Sequence, residues 1–224
     1  MFSRADCSIA GGIYMAIGIE DFSKFIEENK GKRKFRQSVE LAVNFRDLDF
    51  SKQDNRLNMD VNLPNGKGKV RKILLFATDR NLVEDAAKNG IEVADAAEMD
   101  KIAHDQKRLN SLLDYDLLAQ ASMMPSIAKA MGQFLGPRGK MPKPLLSGAT
   151  PGAAAKDLTR RVEIKSKGKY LPTVHTVVGA EDMQAKELYD NILEVVGGIS
   201  KKVGQNHIRS VYVKLTMSKP IKFM

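Results

Sequence analysis

From residue 38 to 45, Val39, Leu41, Val43 and Phe45 alternate with Ser38, Glu40, Ala42 and Asn44. A period of two predicts a strand with one face in a core and the other in water. Residues 58–63 repeat the pattern and stop at Pro64-Asn65-Gly66, a turn signal. Antiparallel sheets with one wet face read this way. Ahead of both, Phe22, Phe25 and Ile26 at helical spacing predict a short helix over 20–29 with acids in its first turn.

The pattern then changes. Residues 73–77 (Ile-Leu-Leu-Phe-Ala) are continuously apolar, as in a parallel strand covered on both faces. A helix over 82–89 closed by Gly90, a strand over 91–94, a helix over 97–109, a strand over 116–119 and a helix over 126–134 follow. Such alternation builds a small three-layer α/β unit. A helix over 151–159 ends it, with Pro151 near its first turn.

After Arg160 the first pattern returns. Strands are predicted over 162–165, 173–178 and 210–217, with a basic turn at 166–169. A helix over 181–202 carries the apolar stripe Leu188, Ile192, Leu193, Val196 and Ile199. In the last strand Val211, Val213 and Leu215 face in, while Ser210, Tyr212, Lys214 and Thr216 face out. The order half-exposed, fully buried, half-exposed predicts one domain inserted in another. The outer, discontinuous domain takes 15–66 and 158–224; the inner takes 67–157, with a hinge at the two crossings. Residues 1–14 read as a leader or a mis-called start rather than as part of either.

At 224 residues, 43% hydrophobic and 28% charged, the composition is that of a globular protein, but the net charge of +9 favours a polyanion partner. Nucleic acid or an anionic membrane surface would fit that charge; no apolar stretch approaches the roughly 18 residues of a spanning helix, and the expectation is a nucleic acid with no membrane partner. Cys7 is the single cysteine and His104, His175 and His207 are scattered, which excludes a cysteine-based zinc site and gives no metal-ligand spacing. No cofactor is expected either.

Residues 135–144 (Leu-Gly-Pro-Arg-Gly-Lys-Met-Pro-Lys-Pro) pack three prolines, two glycines and three cations into ten positions. Such a run cannot be a helix or a central strand; it is a stiff cationic loop. It is not a phosphate-binding P-loop, because Phe134 stands where the first glycine belongs and Met141 where the hydroxyl belongs. No G-x-G-x-x-G follows residues 73–77, so a dinucleotide site is also unsupported, and no nucleophile or acid–base set emerges. The expectation is a non-enzyme.

RNA binding has more support. Residues 30–36 place five cations, Lys32 and Lys34 among them, around Phe35. A solvated face would look the same, but the aromatic suits stacking on a base. The outer-domain strands carry Ser38, Glu40, Lys165, Lys167, His175, Ser210, Lys214 and Thr216 on their polar faces. If these strands are neighbours they form a basic, hydroxyl-rich plate beside Phe35, suited to phosphates and ribose 2′-OH groups.

Three stretches carry a family resemblance: Lys32-Arg33-Lys34-Phe35-Arg36-Gln37-Ser38-Val39-Glu40-Leu41, Leu135-Gly136-Pro137-Arg138-Gly139-Lys140-Met141-Pro142 and Arg209-Ser210-Val211-Tyr212-Val213-Lys214-Leu215-Thr216-Met217. In this order they resemble the ribosomal protein L-one family, the mobile-stalk protein of the large subunit, and its archaeal branch in particular. The resemblance implies a Rossmann-like domain inserted in a split α+β domain with a mainly antiparallel sheet. It implies a monomer within the cytoplasmic ribosome that binds the stalk region of large-subunit rRNA and assists exit of deacylated tRNA. It also implies repression of the protein's own mRNA. The family's RNA contacts carry over to Phe35, Ser38, Ser210, Thr216 and Met217. The family continues Thr-Met with Gly-Pro, whereas Ser218-Lys219 stand here, so Ser218 is expected to alter a close RNA approach and Lys219 to compensate. Arg138, Lys140 and Lys143 are left as contacts to tRNA or to the outer domain. The alternatives are a free-standing RNA-binding regulator or an enzyme acting on a phosphorylated small molecule.

Overall fold

A computed structural model describes residues 17–48, 50, 52, 55–69, 71–146, 148–166 and 171–224, with the strand residues 9–10 and 13–14. Of residues 1–14, only the antiparallel pairing of β1 (Ile9–Ala10) with β2 (Ile13–Tyr14) is described. Next come α1 (Ile19–Asn29), β3 (Ser38–Phe45) and β4 (Asn58–Asn62). The inserted stretch holds β5 (Ile73–Phe76), α2 (Arg80–Lys88), β6 (Glu92–Ala94), α3 (Ala96–His104), α4 (Gln106–Ser111), β7 (Asp116–Gln120), α5 (Met124–Leu135), β8 (Lys143–Leu145) and α6 (Pro151–Arg160). The chain then returns through β9 (Arg161–Lys165), β10 (Thr173–Ala180), α7 (Ala185–Val203), β11 (Ile208–Leu215) and β12 (Ile221–Lys222). Two compact units result: Met1–Lys69 with Arg160–Met224, and Val70–Thr159.

The outer unit is built on an antiparallel sheet of order β10-β3-β11-β12. Val39, Leu41, Val43 and Phe45 of β3 are buried, and the intervening residues are half-buried, as a period of two dictates. The core joins them to Phe22 and Ile26 of α1 and to Leu188, Ile192, Val195, Val196 and Ile199 of α7. A separate antiparallel pair, β4 with β9, contributes Val61, Val162 and Ile164 to the same core. Helix α7 comes close to this pair at Gly198, where a Cβ would stand 3.2 Å from a Val61 methyl.

In the inner unit β6-β5-β7-β8 form a parallel sheet with helices on both faces. Leu74, Phe76, Leu117 and Ala119 meet Met99, Leu109, Ile127, Met131 and Leu135 from α3, α4 and α5. On the other face Leu75, Ala77 and Leu118 meet Ala86 of α2 and Ala154, Ala155 and Leu158 of α6. The mixed α/β fold class read from the sequence is borne out: a parallel α/β unit lies within a split unit with a mainly antiparallel sheet.

Three local departures have physical causes. The single helix expected over 97–109 breaks at Asp105, whose carboxylate accepts the Lys107 N–H at 2.9 Å and starts α4 anew. The loop at 135–144 ends in β8, an edge strand. Pro144 fits there because the ladder bond it cannot donate is not needed at an edge. In β11 the register shifts between Ile208 and Ser210, which brings Ile208 into the core opposite Phe45 and leaves Ser210 on the polar face opposite Asn44, where it is nonetheless buried.

Candidate nucleic-acid interface

Strands β10, β3 and β11 lie side by side, so their polar positions form cross-strand rows. At one end the Thr173 hydroxyl donates to Asn44 Oδ1 at 3.0 Å, and Asn44 Nδ2 donates to Ser210 Oγ at 3.0 Å. The next row is His175, Ala42 and Tyr212, and the next Val177, Glu40 and Lys214. There Lys214 Nζ lies 3.4 Å from the Glu40 carboxylate. The last row joins Ser38 to Thr216: the Ser38 N–H donates to Thr216 Oγ1 at 3.1 Å, and the Thr216 N–H donates to the Ser38 carbonyl at 3.1 Å.

This differs from the expected basic plate. Within the rows Lys214 is offset by Glu40, and Arg36 is engaged by Asp182 and by the Gly68 carbonyl. The plate is therefore a field of hydroxyls, amides and one imidazole, with cations at its margin. Lys32, Arg33 and Lys34 are exposed there, as is Lys219. Lys165 belongs to β9, in the other sheet, and donates to Glu163 at 2.7 Å, so strand pairing does not bring it into the rows. Lys167 lies outside the described residues.

Two exposed apolar side chains flank the last row, Phe35 at 49% and Met217 at 57% exposure. Met217 is held by Gln37, which sequence reasoning passed over. The glutamine side chain is buried; Oε1 accepts the Met217 N–H at 3.2 Å, while Nε2 donates to the Asn29 carbonyl and to Glu181, each at 3.1 Å. One glutamine thus ties α1, the basic segment, the turn after β10 and the 215–218 turn together. Asn29, Lys32, Arg33, Gln37, Met217 and Ser218 line a cleft at this junction. Only position 37 within the first motif hinted at Gln37; a polar residue between a cation and a strand carries no burial signal.

Ser218 does not need glycine's backbone freedom. Among the described residues Asp47 alone of the non-glycines has positive φ, so Ser218 sits in an ordinary conformation. Its hydroxyl accepts the Leu215 N–H at 2.8 Å and closes the turn that presents Met217.

The loop of the inner unit uses its groups locally. The Gly136, Gly139 and Lys140 amides donate to Gly132, Gly136 and Leu135 carbonyls, so they form no phosphate cradle. Lys140 Nζ donates to the Tyr115 carbonyl at 3.0 Å and lies 3.6 Å from Asp116. Arg138 lies 3.8 Å over the Phe134 ring and is exposed, and Lys143 begins β8.

A family model described as the ribosomal protein L1p/L10e family matches residues 24–219, which span all three motifs and every outer-unit position above from Lys32 to Ser218. The chain belongs to the ribosomal protein L1p/L10e family. Among similar relatives, the large ribosomal subunit protein uL1 of Thermoplasma acidophilum is 38% identical over 213 residues, covering 92% of this chain and 97% of the relative. That of Pyrococcus horikoshii is 37% identical over 218 residues, 93% of this chain and 97% of the relative. That of Archaeoglobus fulgidus is 34% identical over 216 residues, 93% and 99%. The archaeal-like reading is thereby borne out, as is the non-enzymatic one, since membership of the L1p/L10e family makes this chain a ribosomal protein. Among the described residues no helix is long and apolar enough to cross a membrane.

Proposed function

We propose that this ribosomal protein is seated on the stalk region of large-subunit rRNA, as a monomer within the cytoplasmic ribosome. The polar rows of β10, β3 and β11 and the Phe35–Met217 edge form its RNA surface. The observation that carries the reading is the joining of two segments 178 residues apart through the Ser38–Thr216 bonds, with Gln37 fixing Met217 beside them. Hydroxyls and amides in rows suit ribose and base edges. Exposed Phe35 and Met217 suit an unstacked base, and the marginal Lys32, Arg33, Lys34 and Lys219 suit phosphates. Ser38, Glu40, His175, Ser210, Lys214, Thr216 and Ser218 belong to this surface, with Lys165 and Lys167 as more distant phosphate contacts.

Assistance to deacylated tRNA leaving the ribosome and repression of the protein's own mRNA through a similar RNA structure belong to the same reading, by family resemblance. Arg138 and Lys143 are its tRNA-facing cations. Sedimentation of the native protein with the large subunit is the expected behaviour; a free pool bound to mRNA would favour the regulator instead.

Binding of a stalk-rRNA fragment tests the surface. Met217→Ala touches an exposed side chain, and Thr216→Ala removes a hydroxyl that also orders Ser38. Each is expected to weaken binding by roughly 1–3 kcal/mol, the scale of one lost base-packing contact for Met217 and of one specific polar interaction with RNA for Thr216. Unchanged affinity in both variants would overturn the assignment.

A further inference from the structure

The thioether of methionine is apolar until an oxidant reaches it, and the described methionines differ in how far they can be reached. Met99, Met123 and Met131 are buried, while Met59, Met124, Met183 and Met224 are partly buried. Met141 is 36% exposed and Met217 57%, the largest exposure among them. The local structure fixes where Met217 leaves the surface. Its N–H donates to Gln37 Oε1 at 3.2 Å, the preceding Thr216 is bonded twice to Ser38, and Ser218 Oγ accepts the Leu215 N–H. Met217 also lines the cleft of about 380 Å³ that it shares with Lys32, Arg33 and Gln37, which gives a small oxidant a path to it. Of the two exposed apolar side chains beside the last row, Phe35 offers a phenyl ring that hydroperoxides do not attack. Met217 is the oxidisable one.

We propose that Met217 is an oxidative modification site, where a hydroperoxide converts the thioether to a sulfoxide and weakens the free protein's hold on stalk RNA. The inference rests on the reading of the Phe35–Met217 edge as RNA surface. The sulfur attacks the outer oxygen of the hydroperoxide, and the O–O bond breaks. The proton leaves with the other oxygen as an alcohol, or as water when the oxidant is hydrogen peroxide. Sulfur loses two electrons and the peroxide gains them. A polar, chiral group then stands where a flexible apolar one stood. Its oxygen binds water that a base would have to displace, so the packing contact is lost while every cation stays. Bound RNA covers the sulfur, so the unassembled chain is the vulnerable form. Reductases specific for each sulfoxide epimer make the change reversible.

The full chain, free or saturated with stalk-rRNA fragment, is treated with graded hydrogen peroxide, and peptide mapping measures the oxygen added at each methionine. In the free protein Met217 gains its oxygen before Met141 and well before Met99, Met123 and Met131. Bound fragment slows oxidation at Met217 about fivefold or more and leaves Met141 unaffected. Protein oxidised at Met217 binds the fragment about fivefold or more weakly, with an unchanged salt slope because no cation is lost. Treatment with the paired methionine sulfoxide reductases restores binding. Met217→Leu, whatever its own affinity, is weakened no further by peroxide, whereas Met141→Leu is weakened as wild type is. Oxidation at Met217 that left affinity unchanged would overturn the proposal. So would an equal peroxide effect on Met217→Leu and wild type, or oxidation of Met217 no faster than that of the buried methionines. An untreated Met217→Ala variant that bound as wild type would bring down the outer-unit reading at this residue, and the proposal with it. Weak binding by Met217→Ala beside full binding by the oxidised protein would bring down the proposal alone.

Discussion

Thr176 lies on the core side of β10, and among the described residues its hydroxyl is the buried polar atom without a hydrogen-bond partner. Leaving such a group unpaired costs about 1–3 kcal/mol, while its β-branched shape suits the strand. Thr176→Val is therefore expected to stabilise the protein by about 1 kcal/mol. The denaturant midpoint would rise at constant slope, and a lower midpoint would refute the idea. Lys140 shows the opposite arrangement, a half-buried cation with partners. Burial and the nearby Arg71 charge pull its pKa below the ordinary 10.5, against the attraction of Asp116. Between the lowered folded pKa and 10.5 the unfolded chain binds more protons, so this group makes stability rise with pH in that window. An NMR titration of the Lys140 ammonium should read a value below 10.5. Arg71→Ala should bring it up, and Asp116→Asn should take it lower still; the opposite directions would reject the account.

At the scale of elements, what the sequence revealed was periodicity. Strand β3 begins and ends where the alternation of Ser38 to Phe45 does, and Ile73 to Phe76 is as buried as an uninterrupted apolar run demands. What it concealed were features made by side-chain competition or by distant pairing. The Asp105 cap divides a helix, the bulge before Ser210 brings Ile208 into the core, and β12 forms only because β11 is there to pair with it. The same holds for the candidate site. Phe35 and Thr216 stand out by type and position, but Gln37 matters through bonds to residues up to 180 positions away. The segment leading out of β4 is a further case. Buried Asn191 of α7 donates to the Gly66 and Val178 carbonyls, each at 2.9 Å, and accepts the Asn65 N–H at 3.2 Å. Asn191→Leu strands three backbone groups. It is expected to cost about 2–4 kcal/mol and to speed amide exchange at residues 65–68 more than in β3. Uniform acceleration throughout the outer unit would mean that Asn191 serves the core in general.

At the scale of the whole molecule, the two units ask very different things of the chain. The outer sheet pairs β3 with β11 through residues 166 apart and with β10 through residues 129 apart, because the inner unit is threaded between them. The inner sheet closes its central pair over a far shorter stretch, 42 residues at the Thr78–Gln120 bond. Bringing distant segments together costs loop-closure entropy before any interaction repays it, so high sequence separation slows folding. The inner unit also holds both of its core clusters within one continuous segment, while the outer core needs Leu41 and Val213 from opposite ends of the chain. Refolding followed by pulsed hydrogen exchange is therefore expected to protect the amides of Leu118 and Ile127 before those of Leu41 and Val213. Core substitutions should divide in the same way. Ile127→Ala, at an expected 2–5 kcal/mol, would slow the early phase, and Val213→Ala would act on the late one. Outer-sheet protection that preceded or coincided with the inner would show that 166 residues of separation do not govern the order. The RNA surface assigned to β10, β3 and β11 would, on the expected order, be the last part of the chain to become competent, since its rows exist only once both ends of the chain have met.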